Sequence, residues 1–285
     1  MKSGVILGGE MPELPEVETI KNELFPWVLG QSFTEVVIFD ASLVSGIAIE
    51  DLRYRLTGQI LENLERRGKY LIFRLESSHS LVMHLRMSGA LLLNPQIIGR
   101  YARAVFSFSN GNQIVFRDPR RFGVIWLVEN VDAVLSKLGP EPLSEGFDSY
   151  VLARRLSKHH IPVKTALIDQ SIIAGIGNMY ADEALFAAHI HPLRKAYTLS
   201  PEEIQNLHRS IREVLRSAIS NKGASVDTYI RPEGQLGTAH FNFKVAHKYG
   251  ELCPVCGTPI QRILVRNRGT YFCPKCQTLN LRLLI

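Results

Sequence analysis

The alternation of apolar and polar positions changes character twice along the chain. Residues 16–25 carry Val17, Ile20 and Leu24 at the three- and four-residue spacing of one helix face. Pro15, with its fixed φ and no N–H to lose, suits the first turn of that helix. From Phe33 to Val128 the period shortens. The runs 35–39, 70–75, 80–84, 104–107, 113–116 and 124–127 are brief, β-rich and bounded by Gly, Asn and Ser, a pattern that predicts strands and fits a β-sandwich best. Gly139, Pro140 and Pro142 mark a boundary, beyond which 150–157, 163–168, 179–188 and 201–221 predict helices. Residues 223–237, glycine-rich and of mixed polarity, predict a mobile surface loop of the kind that touches ligands. The expected protein is therefore α+β, with a sandwich domain over 12–142 and a mainly helical domain over 143–285.

Composition narrows the function. With 46% apolar residues in 285, the chain has ample material for two cores. No apolar run approaches the roughly 20 residues that span a bilayer. The first ten residues hold one lysine and only Val5, Ile6 and Leu7 as an apolar block, too short for a secretory signal, so a cytoplasmic protein is expected. The net charge of +6 is unevenly placed. Residues 77–117 contain no Asp or Glu but carry Arg86, Arg100, Arg103 and Arg117, and residues 253–285 are again acid-free, with Arg262, Arg266, Arg268, Lys275 and Arg282. Either stretch alone reads as a solvated basic face. Two of them favour a surface for phosphate.

All four cysteines fall into two pairs, Cys253-Pro-Val-Cys256 and Cys273-Pro-Lys-Cys276, separated by sixteen residues. That spacing converges four thiolates on one tetrahedral Zn2+, a closed and therefore structural site. The alternative is a pair of disulfides in an exported protein, which the missing export signal disfavours. Between the pairs, 260–265 and 270–272 predict a hairpin with Arg268 at its tip and Arg266 beside it. The zinc finger then occupies about 250–285. By itself it defines only a binding module.

The run Met11-Pro12-Glu13-Leu14-Pro15-Glu16-Val17-Glu18 places two prolines and three carboxylates at a helix start. In the ordinary reading these are acids at the positive end of a helix. Met11 before a small residue is also a plausible translation start. Were the chain to begin there and lose the methionine, Pro12 would be a free secondary amine with a reference pKa of about 7.7 to 8. Such an amine can attack a sugar carbon and form an iminium, whereas the same nitrogen inside a chain is an inert amide. Residues 1–11 are accordingly expected to be absent from the mature protein.

With that run, five further features, in order along the chain, resemble the bacterial formamidopyrimidine-DNA glycosylases. They are Arg67-Gly68-Lys69-Tyr70-Leu71, His84-Leu85-Arg86-Met87-Ser88-Gly89, Asp118-Pro119-Arg120-Arg121-Phe122-Gly123, Gly175-Ile176-Gly177-Asn178-Met179-Tyr180-Ala181-Asp182-Glu183, and the zinc hairpin. The resemblance implies a β-sandwich joined to a helix-two-turn-helix domain with a zinc finger. It implies a monomeric enzyme that excises oxidised purines from duplex DNA and cleaves at abasic sites. Pro12 is then the nucleophile at C1′, Glu13 the proton shuttle, Glu16 a second acid in the same pocket, and Lys69 and Arg268 further catalytic-site residues near the nucleotide and its phosphates. An enzyme acting on a base in a duplex must swing it out, and Met87, Arg120 and Phe122 match the residues that fill the void. Lys164 and Asn178 match phosphate binders. Around Ala246-His247-Lys248-Tyr249 the chain departs from the family run, which leaves lesion preference open. Two rival readings stand: the sister glycosylases of oxidised pyrimidines, which begin Pro-Glu-Gly-Pro where Leu14 takes the third place here, and a zinc-ribbon DNA binder without catalysis.

Overall fold

A computed structural model describes residues 11–279, so the expectation for the leader lies, Met11 apart, outside the described residues. The chain forms two compact units. The first contains Pro12, Glu16–Ser136 and Lys222–Thr238; the second contains Glu13–Pro15, Lys137–Asn221 and the residues from Ala239 onward. The changeover after Ser136 falls a few residues before the boundary expected at 142.

Elements of the first part of the chain are α1 (Leu14–Val28), β1 (Phe33–Ile38), α2 (Ile49–Leu56), β2 (Leu61–Arg67), β3 (Tyr70–Leu75), β4 (Ser80–His84), β5 (Ala90–Leu93), β6 (Ala102–Phe108), β7 (Gln113–Arg117), β8 (Val124–Val128) and α3 (Asp132–Leu135). The strands build two four-stranded antiparallel sheets, ordered β2-β3-β4-β8 and β1-β6-β7-β5. Alternation of side chains decides what goes inside. On β6, Ala104, Phe106 and Phe108 join the main core with Phe33, Phe73 and Phe116, while Ala102 and Val105 meet Val115 in a smaller cluster against Val37 and Leu92. Helix α1 adds Val17, Ile20, Leu24 and Val28 to the main core, as its spacing predicts.

The segment expected to be a mobile loop is instead part of this unit. Tyr229 is buried in the main core and its hydroxyl donates to the Lys222 carbonyl at 3.2 Å. Arg231 pairs with Glu23 through Nε at 2.9 Å and Nη2 at 2.5 Å, and Leu93 N–H donates to the Pro232 carbonyl at 2.8 Å. One buried ring and one ion pair suffice to fix a stretch whose composition predicts motion.

The second unit holds α4 (Ser149–Leu156), α5 (Val163–Ile168), α6 (Asn178–Ala187), α7 (Pro201–Ser220) and the hairpin β9 (Gln261–Val265) with β10 (Arg268–Phe272). Helix α7 starts at a capping box: Ser200 Oγ accepts from Glu203 N–H at 3.2 Å and Glu203 accepts from Ser200 N–H at 2.7 Å, with Pro201 at the first position. Its buried stripe is Ile204, Leu207, Ile211, Leu215 and Ala218. In the hairpin, Val265 pairs with Arg268, so the turn is Arg266-Asn267, both at positive φ (46° and 62°). Arg268 therefore opens β10 rather than standing at the tip. Among the described residues no helix is long and apolar enough to cross a membrane.

Candidate active site and nucleic-acid interface

In the first unit, Pro12 and Glu16 are buried at the start of α1. Glu16 Oε1 accepts from Ala224 N–H at 2.8 Å. Gly223, at φ +76°, makes room for it: a Cβ there would stand 2.9 Å from the same oxygen. Lys69 belongs to the two-residue turn between β2 and β3, since Arg67 pairs with Tyr70, and its side chain is almost wholly buried. The third acid of the amino-terminal run supports that turn. Glu18 accepts from Arg66 Nε at 2.7 Å and from Lys21 Nζ at 2.5 Å, and Arg66 Nη1 donates to the Gly68 carbonyl at 3.0 Å. Burial pushes the Glu18 carboxyl up, but the bonds and charges of Lys21 and Arg66 outweigh it and hold the group below the ordinary range. His84, buried and flanked by the positive Arg86 and Lys69, is held down to about 3 and so stays neutral. Its Nδ1 accepts from Arg86 N–H at 3.0 Å.

The three residues expected to fill a void also lie in this unit. Met87 is partly buried on the turn after β4, while Arg120 and Phe122 are exposed, with the guanidinium carbon 4.9 Å over the ring. Thr228 Oγ1 donates to the Met87 carbonyl at 2.9 Å.

In the second unit, Glu13 is buried and its carboxylate sits on the start of α6. Oε2 accepts from Gly177 N–H at 2.6 Å and Oε1 from Met179 N–H at 3.0 Å. These are otherwise orphan donors of a helix start, and they suit a carboxylate. Position 177 must be glycine for close approach, because a Cβ would lie 2.3 Å from Glu13 Cδ. Gly175 fills the complementary need, with φ +88° and Leu14 directly against it.

Lys164, Asn178 and Arg268 converge on one strand of the hairpin, but with different exposure. Lys164 is fully buried, its Nζ 2.6 Å from Asp182 Oδ1 and 3.3 Å from the Gly269 carbonyl. Asn178 Nδ2 donates to that carbonyl at 3.0 Å, and Asp182 Oδ2 accepts from Tyr271 N–H at 3.0 Å. Burial raises the Asp182 carboxyl to about 7 against the pull of Lys164. Of the three, only Arg268 is exposed. In this state Lys164 supports the hairpin from within instead of offering a free cation, a distinction residue type alone does not carry. Glu183 fixes the residues just ahead of His247 by accepting from the backbone N–H groups of Lys244, Val245 and Ala246 at 2.8 to 2.9 Å. Asp118, Asp182 and Glu183 are absent from the sequence-derived site; only Asp118, two residues before Arg120 in a Pro-containing turn, carries a local signal.

The four cysteine sulfurs all lie within 4.8 Å of one another. Cys253 and Cys276 are 3.8 Å apart and Cys256 and Cys273 3.4 Å, against about 3.8 Å for sulfurs sharing a tetrahedral zinc at 2.3 Å. The residues fit one structural Zn2+.

A sandwich, a helix pair joined by a glycine turn whose N–H groups face a carboxylate, and a four-cysteine finger together define the zinc-finger, helix-two-turn-helix class of DNA-processing proteins. Family profiles identify the three parts: the formamidopyrimidine-DNA glycosylase N-terminal domain over residues 11–125, its H2TH domain over 138–229, and the zinc finger found in FPG and IleRS over 250–279. The chain belongs to the formamidopyrimidine-DNA glycosylase family. It is 43% identical over 273 residues to the formamidopyrimidine-DNA glycosylase of Symbiobacterium thermophilum, covering 94% of this chain and 89% of that one. Among solved structures it resembles the MutM (FPG) protein of Thermus thermophilus, with TM-score 0.86 and 40% identity over 93% of this chain and 98% of that one. It also resembles the Lactococcus lactis FPG in complex with Fapy-dG containing DNA, with TM-score 0.86 and 36% identity over 94% and 100%.

Proposed function

We propose that this protein is a base-excision repair enzyme that removes oxidised purines, 8-oxoguanine and formamidopyrimidines, from duplex DNA and then cleaves the strand at the abasic site. The Lactococcus lactis relative is seen in complex with Fapy-dG containing DNA, and the present chain shares its fold over nearly its whole length. Pro12 is the nucleophile once residues 1–11 are removed; the family profile begins at residue 11, one position earlier. The proline nitrogen attacks C1′ and gives up its proton as the base leaves with one; the C1′–O4′ bond then opens, with O4′ taking a proton, to give the iminium, which acidifies the C2′ hydrogens for β- and then δ-elimination of the flanking phosphates. Glu13 moves the protons.

One observation carries this reading: the carboxylate beside Pro12 in sequence is buried and held by two backbone N–H groups across its two oxygens. A fixed, desolvated carboxylate adjoining a potential amine is what general acid-base catalysis requires. Glu16 and Lys69 complete the catalytic surroundings, Met87, Arg120 and Phe122 fill the space left by the extruded nucleotide, and Arg268, Asn178 and Lys164 hold the backbone, the last two by supporting the hairpin. Residues 12–142, with Lys222–Thr238 in the same unit, form the catalytic domain, and the remainder of 143–285 the DNA-holding domain. The enzyme works as a monomer in the cytoplasm, on the chromosome, a placement supported by its +6 charge.

The test is borohydride reduction during incubation with an 8-oxoguanine duplex, followed by peptide mapping. A covalent adduct on Pro12 of protein made from its native gene is expected. An adduct on a lysine, or active protein retaining residues ahead of Pro12, overturns the mechanism.

A further inference from the structure

Asp118 has no exposed surface, yet its carboxylate faces a ring of donors from two separate turns. Oδ2 accepts from Phe122 N–H at 2.8 Å and Gly123 N–H at 2.7 Å, while Oδ1 accepts from Arg120 N–H at 3.1 Å and from the Ser88 hydroxyl. Ser88 Oγ in turn accepts from Arg120 N–H at 3.3 Å. The backbone of Asp118 is tied as well: its N–H donates to the Tyr101 carbonyl at 2.9 Å and its carbonyl accepts from Arg103 Nε at 2.8 Å. Both turns are wound tightly around this hub. Arg121 lies at φ +60°, and a Cβ on Gly123 would stand 2.5 Å from the Phe116 ring and 3.2 Å from Asp118 Oδ2. On the other turn, Gly89 N–H closes onto the Leu85 carbonyl at 3.0 Å, and a Cβ on Gly89 would overlap that carbonyl.

Ser88 is the residue after Met87, and the other three donors belong to the turn that carries Arg120 and Phe122. We infer that Asp118 and Ser88 are positioning residues that couple the Met87 turn to the Arg120-Phe122 turn, so that the void-filling side chains enter the duplex as one preset wedge. A buried carboxylate tolerates the loss of a donor poorly. Moving one turn away from the other removes the Ser88 hydroxyl from Oδ1, so independent motion of the two is penalised. An extruded nucleotide leaves a gap that has to be filled while it is open, and a wedge already assembled needs no ordering at that moment. The stacking of Arg120 on Phe122 is consistent with such a parked state.

This inference rests on the glycosylase reading, and the experiment separates the two. Asp118→Asn removes the hub and risks the fold; Ser88→Ala cuts only the tie. For Ser88→Ala, kcat/KM for excision from an 8-oxoguanine duplex should fall about tenfold, the effect of one lost bond to a buried charge. Cleavage of a single-stranded abasic oligonucleotide, which needs no wedge, should stay within twofold, with zinc content unchanged and the melting temperature lowered by only about 2 to 6 °C for the donor lost to Asp118. In a Met87→Ala background the added Ser88→Ala change should cost less than twofold, because nothing is left to couple. Equal losses on both substrates, full additivity with Met87→Ala, or wild-type excision by Ser88→Ala would each overturn the inference. A wild-type protein that forms no trapped adduct would instead overturn the function.

Discussion

Replacing Gly177 by alanine tests the Glu13 cradle with a single methyl group. The backbone there is extended, φ −127°, so alanine brings no left-handed strain and the effect is purely one of space. A Cβ would stand 2.3 Å from Glu13 Cδ and 2.5 Å from Oε1. Ordinary contact begins near 3.4 Å, so the carboxyl carbon must retreat by about 1.1 Å. Bonds of 2.6 and 3.0 Å to Gly177 and Met179 do not survive a displacement of that size. A catalytic group misplaced by about 1 Å loses on the order of 100-fold in rate. Single-turnover excision, with enzyme in excess over an 8-oxoguanine duplex, should therefore slow about 100-fold in Gly177→Ala. Zinc content and affinity for a duplex carrying a non-cleavable abasic analogue should change little, since Glu13 is not part of the DNA-holding surface, while the melting temperature should fall by several degrees as a buried carboxylate loses its two donors. Excision within fivefold of wild type, in a variant that is folded and zinc-loaded, would show that the Glu13 geometry does not govern the reaction.

Removing zinc with a chelator, or through Cys256→Ser, should unfold the hairpin and lower duplex affinity at least 100-fold by gel shift; metal-free protein that binds normally contradicts a structural site. Arg268→Ala should reduce the slope of log K against log salt by about one, as expected for one phosphate contact; an unchanged slope removes Arg268 from the interface. Lys164→Met leaves Asp182 buried without its cation and should cost about 3 kcal/mol in urea unfolding, with partial recovery on adding Asp182→Leu; a variant as stable as wild type refutes the buried pair. His84 has a folded pKa of about 3 against an ordinary 6.5, so only the unfolded chain takes up its proton on mild acidification. Stability from this residue is complete above pH 6.5 and declines as pH falls, by about 1.4 kcal/mol between pH 7.5 and 5.5. His84→Gln should flatten that part of the pH-stability curve; parallel curves would mean His84 is charged in the folded protein.

The strands with strong β-branched and aromatic content, Tyr70–Leu75 and Ser80–His84, are legible from composition to the residue, and so is the zinc site. Strand β2 is not: Leu-Glu-Asn-Leu-Glu-Arg-Arg buries only Leu61 and Leu64 and resembles a polar helix until Arg66 is seen bonded to Glu18. Helix α2 escapes for the same reason, with only Leu52 and Leu56 buried. In the candidate site, Pro12, Glu13 and the glycines of the 175–177 turn are readable because their chemistry is local to a motif. Asp182 and Glu183 are not, because each collects donors from distant parts of its unit, and no spacing rule reports where those donors come from; Asp118 takes three of its donors from its own turn, and only its tie to Ser88 is hidden from the sequence.

The inclusion of Lys222–Thr238 in the first unit sets how the protein can be dissected. A fragment ending at Ser136 is not a free-standing sandwich, because it leaves behind the phenol ring of Tyr229 that is buried in the main core and the cation that neutralises Glu23. Such a piece should be molten or aggregate, at a deficit of about 3 to 5 kcal/mol for the missing ring alone. Supplying a peptide of residues 222–238 in trans should restore it, as a cork restores a bottle.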